Sequence, residues 1–222
     1  MRKKGIIFGG IISAVIIAII ASVSFSQSDS QTLNLDMERT HGTISTAMGS
    51  PILGSESATV TIVEFGDYQC HQCYNWFHNT KDSVVENYIG TGKANLVFVD
   101  LAFLGRDSSK AAAATYCAEE QGKYWEFHDL LFNSQEGIDS GWANSERLKA
   151  FAFSLELDME LFDSCVDSGK FNKRVQFNIA EAKKQGASGT PTFFIVNSDG
   201  EQQKLVGAQP YSVFKNILDS MI

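Results

Sequence analysis

Four kinds of hydrophobic pattern succeed one another along the chain. The first is continuous. Residues 5–25 are uncharged and apolar on every side of a helix, and they follow Arg2, Lys3 and Lys4. A helix of that length, at about 1.5 Å per residue, just crosses a bilayer core of about 30 Å. The pattern predicts a membrane anchor with its N-terminus in the cytoplasm and the rest of the chain outside. A signal peptide cleaved around Ser22 to Ser26 is the alternative. Residues 26–50 are polar, rich in Ser and Thr, and read as a flexible tether that includes His41.

The second pattern is that of strands. Pro51 to Gly54 reads as a short edge strand. Ala58 to Phe65 is a near-continuous β-branched run, which suits a central strand covered on both faces. Its one odd residue is Glu64, either at the rim or buried. The third pattern is helical. Trp76, Phe77, Val84, Val85, Tyr88 and Ile89 form a stripe that predicts a helix over His71 to Ile89. Ala94 to Phe103 returns to strand. From Arg106 to Gly186 the pattern is helical throughout, with helices expected at Ser108 to Asn133, Ser145 to Leu155, Met159 to Asp167 and Lys170 to Gln185. Ser145 and Asp158 are the expected N-caps, and Gly169 and Gly186 the stops. The fourth block is a hairpin of Pro191 to Asn197 with Glu201 to Val206, followed by a helix over Tyr211 to Met221. The order is βαβ, a helical block, then ββα.

Charge and cysteine usage narrow this. From Pro51 onward 14 Lys and Arg face 23 Asp and Glu, a net charge of −9. That surface argues against nucleic acid as a partner. No glycine-rich phosphate loop is present, and no cofactor is expected. All four cysteines follow the anchor, in a compartment where disulfides persist.

The chemistry sits at the first strand-to-helix junction, where Cys70-His71-Gln72-Cys73 follows Phe65-Gly66-Asp67-Tyr68-Gln69. The first turn of a helix has unpaired N–H groups and a partial positive charge, and both favour a thiolate. Cys70 is expected as the nucleophile and Cys73, one turn in, as the resolving thiol. A protonated His71 next to Cys70 would favour the thiolate further, unless it points away. Glu64 is a candidate proton acceptor for Cys73, or else an exposed strand-end carboxylate. A zinc site is disfavoured, because it usually takes about four N or S ligands and only one C-x-x-C is present. His78 and His128 read as structural.

Four stretches, 49–77, 113–132, 165–171 and 186–200, in this order and spacing, resemble the DsbA-like thiol–disulfide oxidoreductases. The resemblance spans about residues 49–222. It implies an α/β, thioredoxin-like fold, a central mixed sheet flanked by helices, with an inserted all-helical subdomain at about 106–186. It gives Cys70 and Cys73 the redox roles, makes Thr190-Pro191 the cis-proline loop facing the nucleophile, and puts Glu64 at the buried acid. Thr190, Pro191 and Gln72 become substrate contacts. Cys117 and Cys165, both in the insert, are expected to pair, the alternative being two buried thiols that never meet. The family's usual proline after the first cysteine is replaced by His71, and its histidine by Gln72. The implied activity is the introduction of disulfides into reduced exported proteins. The implied partner is a membrane reoxidising protein of the DsbB or VKOR type, and the chain is expected to be a monomer. Disulfide reduction or isomerisation on the same fold, and a metal-binding module, are the alternatives.

Overall fold

A computed structural model gives the fold and describes residues 39–222. The expected anchor at residues 5–25 lies outside the described residues. Among the described residues no helix is long and apolar enough to cross a membrane.

The organising element is β4, Val60–Gly66, in which all seven residues are buried. Its continuous apolar run places it at the middle of a five-stranded sheet. Strand β5, Ala94–Asp100, is equally buried and runs parallel to it on one side. Strand β6, Thr192–Asn197, runs antiparallel on the other. The edges are β3, Leu53–Gly54, on β5, and β7, Gln202–Val206, on β6, so the order is β3-β5-β4-β6-β7. β7 alternates exposed and half-buried residues, as an edge strand facing solvent does.

Even positions of β4 face one layer and odd positions the other. On the even face Val60 and Ile62 pack with Trp76, Phe193, Phe214 and Leu218. That face is covered by α1 and by α7, Tyr211–Met221. Helix α1 runs through four segments, His71–Trp76, Phe77–Lys81, Asp82–Val84 and Val85–Ile89, the second and fourth π-helical. On the odd face Val63 and Phe65 pack with Val97, Val99, Phe194 and Ala182. Gly66, the last residue of β4, lies so close to Phe98 that a Cβ would stand 2.2 Å from its ring.

The insert comprises α2, Ser108–Glu119, α3, Tyr124–Asn133, α4, Ser145–Ser154, α5, Met159–Ser168, and α6, Asn172–Lys184. The single helix expected over 108–133 is thus two. Gly122, at φ +72°, reverses the chain, and the Lys123 N–H closes the turn on the Ala118 carbonyl at 2.9 Å. The expected cap Ser145 is displaced by Asn144, whose Oδ1 accepts from the Arg147 N–H at 2.9 Å. Asp158 caps α5 as expected, accepting from the Glu160 and Leu161 N–H groups.

Residues 39–50 depart from the expected tether. Thr40–His41 (β1) and Ile44–Ser45 (β2) form a small hairpin, and Ile44 is fully buried. Arg174 and Asn178 of α6 donate to the Met48 carbonyl at 3.0 and 2.7 Å, and Arg174 to that of Gly49 at 2.6 Å. The segment looks like a linker because its main anchors are backbone carbonyls, which leave no hydrophobic period.

Cys117 of α2 and Cys165 of α5 are joined by a disulfide. They are 48 residues apart in sequence, a separation for which the link restricts the unfolded chain strongly. Replacing both by alanine should lower the unfolding free energy by about 2–4 kcal/mol in a denaturant titration with Cys70 and Cys73 held oxidised. The rate of thiol exchange at Cys70 should change by less than about threefold, since α2 and α5 hold their own packed core.

Candidate active site

β4 ends at Gly66, and the next four residues carry the chain to the start of α1. Asp67 shapes this turn. Its buried carboxylate accepts from the Gln69 N–H at 2.8 Å, and from the Phe103 and Leu104 N–H groups at 2.9 and 3.0 Å. Its carbonyl accepts from the Cys70 N–H at 2.9 Å. The insert holds the same turn from the other side. Gln135 donates from Nε2 to the carbonyls of Tyr68, at 2.5 Å, and Cys70, at 3.1 Å. Buried Gln69 donates to Ser108 Oγ at 3.0 Å and accepts from the Asp139 N–H at 2.6 Å.

Cys70 is the N-cap of α1, at φ −81° and ψ 118°. A side chain in that position normally accepts from the N–H groups two and three residues on. Here those belong to Gln72 and Cys73. The sulfur is a thiol in this structure and donates to the Thr190 carbonyl at 3.2 Å. Once ionised it becomes the missing cap acceptor. The Cys70 thiol is accordingly lowered to about 6, first by a hydrogen bond from the Cys73 thiol, then by one from the Thr190 side chain and by the two N–H groups, with burial opposing.

Cys73 is fully buried, and burial followed by the hydrogen bond to Cys70 pushes it well above the ordinary thiol value. Glu64 lies on the even face of β4, between Phe98 and Phe193 in register. It is buried and not at a rim, and its Oε1 has no hydrogen-bond partner among the described residues. Burial raises its carboxyl to about 8, with Lys81 opposing and Cys70 adding to the rise. Thr190-Pro191 is a cis peptide, and Pro191 is buried beside Cys70's acceptor.

His71 and Gln72 are exposed. The His71 ring stacks on Tyr74 at 5.8 Å and 9°. Gln72 borders a polar depression with Asn75, Thr80, Pro210 and Tyr211, while His71 borders an apolar one with Tyr74, Gln135 and Ile138. His78 is exposed and His128 is caged by Tyr68, Phe77, Phe98 and Phe132. No group of three or more His, Cys, Asp or Glu among the described residues is placed to hold a metal ion.

The family resemblance put Cys70, Cys73, Glu64, Thr190 and Pro191 at one site; in the structure Cys70 Sγ meets the Thr190 carbonyl at 3.2 Å, and Glu64 is buried on β4. Sequence reasoning missed Asp67, Gln69 and Gln135. Asp67 had a signal, since an aspartate two residues before a backbone donor at a strand end favours an Asx turn. Gln135 had none, because its partners are 65 and 67 residues away.

A thioredoxin family matches the chain over residues 46–220. A probable disulfide bond formation protein D of Bacillus anthracis is 30% identical over 147 residues, 64% of this chain and 68% of its own length. The crystal structure of oxidised BdbD from Bacillus subtilis superposes with a TM-score of 0.73 at 25% identity, covering 82% of this chain and 97% of that one. The crystal structure of alpha-DsbA1 from Wolbachia pipientis gives 0.67 at 27% identity, covering 77% and 89%.

Thiolate absorbance of the reduced chain should titrate with a midpoint near 6, assigned to Cys70 by its loss in Cys70→Ser. Because the folded value lies below the ordinary 9.0, Cys70 itself contributes stability that grows as pH rises from 6 to 9 and is lost as pH falls through 6, and the difference in unfolding free energy between the reduced chain and reduced Cys70→Ser across this range isolates it from the opposite slope of Glu64. Asp67→Ala orphans three N–H groups and should lower the unfolding free energy by about 2–4 kcal/mol in urea titrations.

Proposed function

The chain belongs to the thioredoxin family of DsbA-type thiol–disulfide oxidoreductases, and we propose that it acts outside the cytoplasm as an oxidase that puts disulfides into exported proteins. The observation that carries this reading is the cap at Cys70. A helix end that favours the thiolate stabilises the reduced pair, and that makes the Cys70–Cys73 disulfide a stronger oxidant.

The reaction begins with Cys70–Cys73 as a disulfide. A substrate thiolate attacks Cys70 Sγ and forms a mixed disulfide, and Cys73 Sγ leaves. That sulfur is buried, and Glu64, neutral below about pH 8, protonates it. A second substrate thiolate then attacks the substrate sulfur. The substrate disulfide closes, and Cys70 departs as a thiolate into its cap. Two electrons remain on the pair. Returning them requires an external oxidant, for which a membrane protein of the DsbB or VKOR type is the partner of this reading. In the return direction Glu64 acts as a carboxylate and accepts the Cys73 proton.

Thr190, Pro191 and Gln72 frame the approach to Cys70, and an extended substrate backbone alongside Thr190 would need no particular side chains. Residues 5–25 hold the domain at the outer face of the membrane in this reading, with processing to a secreted form as the alternative. The Cys117–Cys165 disulfide fits an oxidising compartment. His71, exposed and stacked on Tyr74, is given a minor part in stabilising the thiolate.

One observation favours a second reading. A Cys70 value of about 6 lies closer to thioredoxin's, about 7, than to that of the strong oxidant DsbA, about 3.5. Reductase or isomerase work on the same site is therefore the competitor. Equilibration in graded glutathione buffers separates the two. The oxidase reading expects a potential between about −120 and about −230 mV. A value at or below thioredoxin's, about −270 mV, overturns it and makes the chain a reductant.

A further inference from the structure

Where Cys70 points is set by the two planar peptide groups that flank its Cα. The group on the N-terminal side is held by the Cys70 N–H, which donates to the Asp67 carbonyl at 2.9 Å. The group on the C-terminal side is held by the Cys70 carbonyl, which accepts twice. One donor is the Tyr74 N–H at 3.0 Å, the first bond of α1. The other is Gln135 Nε2 at 3.1 Å, from the loop that follows α3. The same nitrogen reaches the Tyr68 carbonyl at 2.5 Å. Tyr68 is buried, in the turn where the ladder of β4 has ended. A primary amide suits this bridge, because it puts two donors on one planar nitrogen and carries no charge. Gln135 is itself presented by a braced loop. Asp139, four residues on and at φ +52°, donates its N–H to Gln69 Oε1 at 2.6 Å. Its carboxylate accepts from the Arg106 and Asp107 N–H groups at 3.1 and 3.2 Å. The loop, the turn and the start of α2 thus hold one another.

We propose that Gln135 is a positioning residue for the reaction at Cys70: its amide fixes the carbonyl side of the nucleophile and so aims the first turn of α1 at Cys70 Sγ. This deepens the proposed function and rests on Cys70 being the nucleophile. Thiol and thiolate make different demands on the backbone. The thiol donates to the Thr190 carbonyl at 3.2 Å. The thiolate accepts from the N–H groups of Gln72 and Cys73, which meet it only while Cys70 keeps a ψ near 118°. The Tyr74 N–H cannot hold that angle against the turn, because it belongs to the helix and moves with it. Gln135 belongs to neither the turn nor α1, and it grips the carbonyl from outside both. Losing it costs the thiolate more than the thiol or the disulfide, and the disulfide becomes a weaker oxidant. Another neutral residue at 135 leaves every charge around the site in place. Those are Glu64 on β4, Asp67 in the turn, His71 on α1, and Glu136 and Asp139 in the loop. What changes is the aim of the N–H groups.

The test uses full-length Gln135→Met, which keeps the side chain's bulk and removes both donors. Three quantities are compared with the unsubstituted chain: the thiolate midpoint of the reduced form, the equilibrium with glutathione, and the unfolding free energy of each redox form in urea. The Cys70 midpoint should rise by about half a unit to one unit, which moves the glutathione equilibrium at pH 7 roughly three- to fivefold toward the protein disulfide. The reduced form should accordingly lose more stability than the oxidised form. A residue that only braces the fold would weaken both forms equally and leave the midpoint and the equilibrium where they were. That outcome overturns the proposal, as does a lowered midpoint. Cys70→Ser separates this failure from failure of the proposed function. A midpoint near 6 that survives in Cys70→Ser removes Cys70 as the nucleophile, and the proposal falls with it. A midpoint that vanishes there yet stays unmoved in Gln135→Met overturns the role of Gln135 alone. If Gln135→Met does not fold, Gln135→Asn decides. Its amide is one methylene too short to bridge both carbonyls, and an unmoved midpoint there overturns the proposal.

Discussion

A helix needs an acceptor at its N-cap, and at α1 the residue in that position is a cysteine. Oxygen caps accept in their ordinary state. A thiol is a poor acceptor and becomes a good one only by losing its proton. The N–H groups of Gln72 and Cys73 therefore distinguish between two states of one sulfur. They gain little from the thiol, which turns to the Thr190 carbonyl instead, and much from the thiolate. In the disulfide the sulfur carries no charge, and the helix end is again poorly capped. The same local geometry thus favours the reduced, ionised state over both others. Acidic residues in the first turn would compete for this role, and α1 has none there.

Depth separates the two cysteines as decisively as the cap does. Cys70 and Cys73 are three residues apart, yet their thiols are pushed in opposite directions. Cys73 has turned into the core under the sheet and has no water to stabilise a charge. It helps its neighbour by donating a hydrogen bond, and is itself held protonated by doing so. Exchange with an outside thiol is thereby directed to the outer sulfur, and the inner one waits for a base. In the proposed mechanism that base is Glu64, and its register on β4 sets which layer it faces. A carboxylate at an odd position would face the layer under α6. At position 64 it faces α1, with burial holding its value near neutrality.

What was legible in the sequence was local. The run Val60–Phe65 announces a central strand because burial on both faces leaves no polar alternation. Cys70 and Cys73 announce a helix start because they fall where period two gives way to the helical period. The α1 stripe was visible too, but its π segments were not, since an extra residue per turn barely disturbs a stripe. The break at Gly122 was hidden by apolar residues on both sides that continue a single helical pattern. Residues 39–50 were misread for a different reason. Their attachment runs through the carbonyls of Met48 and Gly49 to side chains of α6, and carbonyls are the same in every sequence. Glu64 was visible as an anomaly, but whether it lay at a rim or in the core depended on what covers the even face.

The insert bears directly on the redox site. The turn that presents Cys70 has the backbone polarity of a loop and the burial of a core. Its carbonyls and N–H groups need partners that the sheet cannot supply, because β4 has ended. Asp67 answers from within the loop. Gln135 and Asp139 answer from the insert, through the carbonyls of Tyr68 and Cys70 and the side chain of Gln69. These are neutral hydrogen bonds, each worth only about 1 kcal/mol net. Their effect is positional: the carbonyl of the N-cap residue is itself one of the groups held. A shift of that carbonyl would rotate the first turn of α1, and with it the N–H groups that meet the sulfur. The helical block inserted between the two halves of the sheet thus acts at the one junction where the fold's chemistry is most sensitive to angle.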